Sequence, residues 1–88
     1  MRLYRQCMYY VYILKSLKDS KYYIGSTSNV DARLAFHNAG LQRSTKHRIP
    51  FVLVLTETFS NRSQAEKREK QIKSFKGGEA FIKLIAGV

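Results

Sequence analysis

Arg33 and His37 stand four residues apart, a spacing that projects both side chains from one face of a helix, about one turn from each other. Such a pair can act on one ligand. Arginine offers a planar fork of donors that matches an oxyanion, and histidine changes its charge most readily near neutrality. The plainer alternative is a solvated arginine beside a histidine that packs against Leu34 and Phe36. Further along, Glu69 falls close to the edge of an apolar stripe formed by Ala65, Ile72 and Phe75 at about 100° per residue. A carboxylate there needs a partner, and Arg68 lies within the same arc as a local ion-pairing candidate. Glu66 points further from the stripe. Lys67, Lys70 and Lys73 form an outward basic stripe, which either keeps the helix wet or follows a phosphate backbone without reading bases.

The overall charge bears on the partner class. Sixteen Lys and Arg against six Asp and Glu give a net +10 on 88 residues, a density that attracts polyanions. Nucleic acid is the leading partner class; a ribosome-associated protein and a binder of anionic membranes share the same charge signature. A hydrophobic content of 44% with 25% charged residues fits one folded core, and the length leaves no room for a second domain. The longest apolar run, from Met8 to Leu14, is far below the roughly 18 residues of a membrane span. No signal peptide is recognisable at the N-terminus, so a soluble, cytoplasmic protein is expected. Cys7 is the single cysteine, without a disulfide or metal partner, and is expected to serve as small apolar filler.

The elements that must position these residues follow from local patterns. Tyr9 to Leu14 and Tyr22 to Ile24 are rich in β-branched and aromatic residues around a polar stretch and predict a hairpin. Both faces of the first strand are apolar, which requires cover on each side. Ser28 or Asn29 can cap a helix over Val30 to Asn38, with Asp31 at its positive end and Gly40 as its stop. A basic, turn-rich segment from Leu41 to Pro50 leads into a strand over Phe51 to Thr58. Ser60 or Asn61 then caps a longer helix to about Phe75, and Glu79 to Ala86 forms a last one with Phe81, Ile82 and Ile85 on its apolar face. The expected fold class is α+β, a small three-stranded antiparallel sheet flanked by helices in the order strand, strand, helix, strand, helix, helix.

With that order in place, Tyr10-Val11-Tyr12 followed by Tyr23-Ile24-Gly25 resembles the paired motifs of the GIY-YIG nuclease superfamily. The second motif matches letter for letter, while Tyr10 and Val11 stand where the first has Gly and Ile. Specificity comes from the series: Tyr12 to Tyr23 at eleven residues, Tyr23 to Arg33 at ten, Arg33 to His37 at four, then Ala65 to Glu69 on a later helix. The resemblance covers a single domain over residues 8–88, leaves residues 1–7 as an N-terminal extension, and is closest to the small single-domain bacterial members.

The resemblance implies a metal-dependent endonuclease that hydrolyses DNA phosphodiester bonds, structure-selective or weakly sequence-specific, working in DNA repair or processing. RNA is left open as a substrate, and a partner protein would have to supply targeting. Tyr12, Tyr23, Arg33, His37 and Glu69 are the implied catalytic residues. Glu69 would hold one Mg2+ or Mn2+, since Mg2+ needs only one or two protein carboxylates. Arg33 would offset charge on the phosphate. One of the two tyrosines would deprotonate water while the other shapes the site; we favour Tyr12 as base, its phenolate helped by Arg33, the metal and local lysines. His37 would orient water or tyrosine, or relay the proton. Gly25 would make room at the strand end. Arg33, Lys46, Lys67, Lys70 and Lys73 are the candidate nucleic-acid contacts. Related small proteins carry Tyr-Thr in the basic loop where Ser44-Thr45 stands here, a departure that argues against a loop contribution, and His47 is expected to be solvated. Asn61 is the last Asn, so the late Asn of larger members is missing. The degenerate first motif and that missing Asn motivate the alternative, a non-catalytic nucleic-acid-binding adaptor on the same fold.

Overall fold

A computed structural model describes residues 8–87; the N-terminal extension, with Cys7, lies outside the described residues. The elements run β1 (Tyr9–Ser16), β2 (Tyr22–Thr27), α1 (Val30–Asn38), β3 (Phe51–Phe59), α2 (Arg62–Ser74) and α3 (Glu79–Ala86), with a turn of 3-10 helix at Lys46–Arg48. The three strands form one antiparallel sheet in the order β2-β1-β3, so the fold is α+β, as the order of elements predicts.

β1 occupies the centre and is covered on both sides. Val11, Tyr12, Ile13 and Leu14 are all buried. Because side chains alternate along a strand, Val11 and Ile13 share one face, where they meet Ala65 and Ile72 of α2 and Phe81 of α3. Tyr12 points the other way, toward α1. β1 runs two residues past Leu14 because Lys15 and Ser16 continue the ladder with Val52 and Phe51. Ser16 then organises the hairpin turn: its Oγ accepts from the Lys18 and Asp19 amides, each at 3.1 Å, and donates to the Arg48 carbonyl at 2.5 Å. β2 likewise extends through Gly25, Ser26 and Thr27, which pair with Tyr12, Val11 and Tyr10.

Asparagine caps both helices that carry site residues. Asn29 accepts from the Ala32 amide at 3.0 Å and Asn61 from the Gln64 amide at 2.9 Å, each satisfying a donor that helix geometry leaves open. Gly40, at φ +74, ends α1 by taking the left-handed conformation. In α3 the apolar face differs from the expected one. Phe81, Leu84 and Ile85 face inward, three and four residues apart, whereas Ile82 is rotated away and 57% exposed.

The segment between α1 and β3 is fastened at both ends. Asn38 behaves like a strand partner for Phe51, accepting from its amide at 2.7 Å and donating to its carbonyl at 3.0 Å. At the other side of the hairpin, the Leu17 amide donates to the Pro50 carbonyl at 2.8 Å.

Candidate active site

The face of the sheet beneath α1 gathers three aromatic rings from three elements. Tyr12 on β1 and Tyr23 on β2 lie with ring centroids 6.2 Å apart, and His37 from α1 packs against both, 6.0 Å from Tyr12 and 4.7 Å from Tyr23. The approach of Tyr12 depends on Gly25, its cross-strand partner. A Cβ built there would stand 2.5 Å from the Tyr12 hydroxyl, closer than any real contact, so only glycine fits beneath the ring.

A directional chain of hydrogen bonds fixes His37. Thr45 is buried, and its hydroxyl donates to the Gln42 carbonyl at 3.5 Å, which leaves Thr45 Oγ1 to accept from His37 Nδ1 at 2.9 Å. Nε2 is thereby assigned, from the network, as the acceptor for the Tyr12 hydroxyl at 3.2 Å. His37 is itself buried, and burial, reinforced by the Arg33 charge, holds its pKa below the ordinary 6.5. The imidazole is therefore neutral at neutral pH and able to accept.

Arg33, one turn earlier on α1, stacks its guanidinium over Phe36 at 4.6 Å and donates from Nη2 to Gln42 Oε1 at 3.1 Å. The Gln42 amide in turn donates to the Tyr23 hydroxyl at 3.1 Å and to Ser44 Oγ at 3.2 Å. The same loop residue thus touches Arg33 and Tyr23 through its side chain and reaches His37 through its carbonyl and Thr45. Gln42 carries no signal in the sequence, where the Ser44-Thr45 departure argues against a loop contribution. Thr45 corrects that expectation, because a buried threonine facing a buried histidine is a hydrogen-bond requirement rather than a loop ornament.

Arg33 gives a Tyr12 phenolate the expected help, but burial outweighs it. Burial is the largest effect and pushes the phenol above its ordinary 10.0; Arg33 pulls down, while Tyr23 and Glu69 add to the rise.

Glu69 approaches from α2, on the other face of the sheet. Its Oε1 accepts from Ser26 Oγ at 2.7 Å and its Oε2 from Lys73 Nζ at 2.7 Å. Arg68, offered above as its partner, instead forms a two-pronged pair with Glu57 on β3, at 2.7 and 3.1 Å. Lys73 is correspondingly less free than an outward stripe implies. Lys46, Lys67 and Lys70 are exposed and make no ion pair among the described residues, and His47 is exposed as expected. No cluster of three or more His, Cys, Asp or Glu suited to a metal occurs among the described residues. The donor set would fit only a cation that takes one protein carboxylate and completes its shell with water and substrate oxygens, as Mg2+ does; Glu69 is the carboxylate on offer, with one oxygen held by Ser26 and the other ion-paired to Lys73. No helix among the described residues is long and apolar enough to cross a membrane.

Comparisons with known proteins identify the family. The family model described as the GIY-YIG catalytic domain matches residues 8–78. The UPF0213 protein of Staphylococcus haemolyticus is 53% identical over 68 residues, which cover 76% of this chain and 82% of that protein. The UPF0213 protein of Natronomonas pharaonis is 46% identical over 67 residues, covering 75% of this chain and 78% of that one. A solution NMR structure of the UPF0213 protein from Bacillus halodurans aligns with a TM-score of 0.57 at 34% identity, over 90% of this chain and 83% of that chain. A family of nuclease domains is thus matched along most of the chain, and the triplets Tyr10-Val11-Tyr12 and Tyr23-Ile24-Gly25 lie on β1 and β2, where the Tyr12 and Tyr23 rings meet. The chain belongs to the GIY-YIG catalytic domain family.

Proposed function

We propose that the protein is a metal-dependent endonuclease that hydrolyses DNA phosphodiester bonds, structure-selective or weakly sequence-specific, in DNA repair or processing. The observation that carries this reading is the hydroxyl of Tyr12 aimed at the acceptor nitrogen of His37, with Tyr23 packed against the same imidazole and Arg33 one turn away. In this scheme the Tyr12 proton moves to His37 Nε2, and Tyr12 Oη takes a proton from the attacking water. The hydroxide bonds to phosphorus as the bond to the leaving oxygen breaks. Arg33 neutralises charge that grows on the phosphate oxygens. Tyr23 accepts from Gln42, so its own O–H is free to donate to phosphate. Glu69 would hold the divalent ion, which when bound supplies charge stabilisation for the leaving oxygen. The +10 charge and the exposed Lys46, Lys67 and Lys70 support a nucleic acid as the ligand.

A second reading, nucleic-acid binding without turnover, draws on the 2% exposure of Tyr12 and the rise of its pKa on burial. One panel separates the two. Purified protein is incubated with duplex, flap, branched and single-stranded DNA, with Mg2+ or Mn2+, in wild-type and Glu69→Gln forms. Nicking that stops with chelator and disappears in Glu69→Gln supports the nuclease; salt-sensitive binding without cleavage on any substrate supports the adaptor.

A further inference from the structure

Gln42, itself outside the proposed catalytic set, hydrogen-bonds to two of its members. Its Oε1 accepts from Arg33 Nη2 at 3.1 Å and its Nε2 donates to the Tyr23 hydroxyl at 3.1 Å. The second Nε2 hydrogen goes to Ser44 Oγ at 3.2 Å, so both amide protons and the amide oxygen are engaged. Its backbone carbonyl accepts from Thr45, the residue that orients His37. We propose that Gln42 is a positioning residue of the nuclease site, which sets the aim of Arg33 and Tyr23 toward the same phosphate and ties both to the orientation of His37. This rests on the nuclease reading given above.

Three physical consequences follow from the amide's chemistry. First, a long, flexible arginine loses rotamer freedom when it is fixed in a reactive geometry; a hydrogen bond from an already anchored loop removes much of that freedom before substrate arrives. Second, the direction of the bond to Tyr23 matters. A hydroxyl that accepts from an amide has its own proton free, so Gln42 leaves Tyr23 a donor toward substrate. Neither Asn, which is too short, nor Glu, which cannot donate when ionised, reproduces both bonds. Third, Arg33 carries five N–H donors, so one can remain on Gln42 while others meet phosphate. The amide has no need to leave when substrate binds, which distinguishes positioning from a plug that occupies the phosphate position.

The test uses Gln42→Met, close in volume and devoid of both hydrogen bonds, with Gln42→Ala as a second variant. Gln42 is only half-buried in a surface loop, so neither change opens the core. On a substrate that wild type cuts, kcat is expected to fall roughly 100-fold in Gln42→Met with KM little changed, the pattern of a lost transition-state alignment. In a double-mutant cycle with Tyr23→Phe the two losses should be less than additive. An unchanged kcat, a loss confined to KM, or a rise in rate from removal of a plug would each overturn the proposal. Should wild type cut no DNA, the nuclease reading fails separately, and the placement by Gln42 is read from the 15N-resolved guanidinium signals of Arg33. Slow guanidinium rotation in wild type that becomes fast in Gln42→Met supports the placement; equal rates in both overturn it.

Discussion

Tyr12 and Gly25 face each other across the β1–β2 ladder, and the tyrosine ring fills the space where any other residue at position 25 would place its side chain. Gly25→Ala must therefore displace either the ring or the strand. An overpacking loss of about 1–3 kcal/mol in unfolding free energy is expected, together with loss of cleavage, since the Tyr12 hydroxyl leaves His37. Urea denaturation and a cleavage assay on one preparation check both; a stable, active Gly25→Ala protein would contradict the packing.

The buried imidazole gives stability a dependence on pH. The folded His37 has a pKa below the 6.5 of an ordinary histidine, so the unfolded chain binds a proton that the folded chain resists. Its contribution to stability is fully present above that ordinary value and is lost as pH falls below it, down to the folded pKa. Urea midpoints measured from about pH 8 to about pH 5 should fall more steeply for wild type than for His37→Gln. Parallel curves would count against a buried neutral histidine.

Ser26 fixes one Glu69 oxygen at 2.7 Å while Lys73 holds the other, so in the metal role proposed for Glu69 the serine would act as a supporting residue. Ser26→Ala should weaken divalent-ion affinity or metal-supported cleavage by about 10–100-fold while leaving the fold intact. Titration of activity against Mg2+ concentration reads the effect, and an unmoved titration curve would remove Ser26 from the site.

Exposed lysines that follow a phosphate backbone leave a signature in salt dependence. If Lys67 and Lys70 each neutralise a phosphate on duplex DNA, Lys67→Ala and Lys70→Ala should each reduce the slope of log affinity against log salt by about 0.9. Fluorescence anisotropy over a salt series measures the slope; an unchanged slope assigns both residues to solvent.

Much of this was legible in the residues themselves, because the signals were local. The β-branched and aromatic runs marked all three strands, and the helix starts were narrowed to Ser28 or Asn29 and Ser60 or Asn61, of which the structure uses Asn29 and Asn61. The aromatic and charged candidates for the site were named through the motif series shared with the family, since helix spacing alone singled out neither the Arg33 and His37 pair nor Glu69. Gln42, Thr45 and Ser26 were not, since neutral polar residues acquire meaning only through a partner. Ser26 meets Glu69 across 43 positions of chain and Thr45 meets His37 across eight, at places no periodicity connects. Arg68 misled for the same reason: its neighbour in sequence was Glu69, while its partner in space is Glu57, eleven residues away on the adjoining strand.

Asn38 carries a last consequence. By standing in as a strand partner for Phe51, it draws together the ends of the segment that bears Gln42 and Thr45. Closing a loop of this length restricts the chain, and here that restriction is met once, during folding, by a residue to which the proposed scheme gives no chemical step. An incoming nucleic acid then meets a surface already shaped, and its association should carry little of the unfavourable entropy that accompanies the ordering of a free loop.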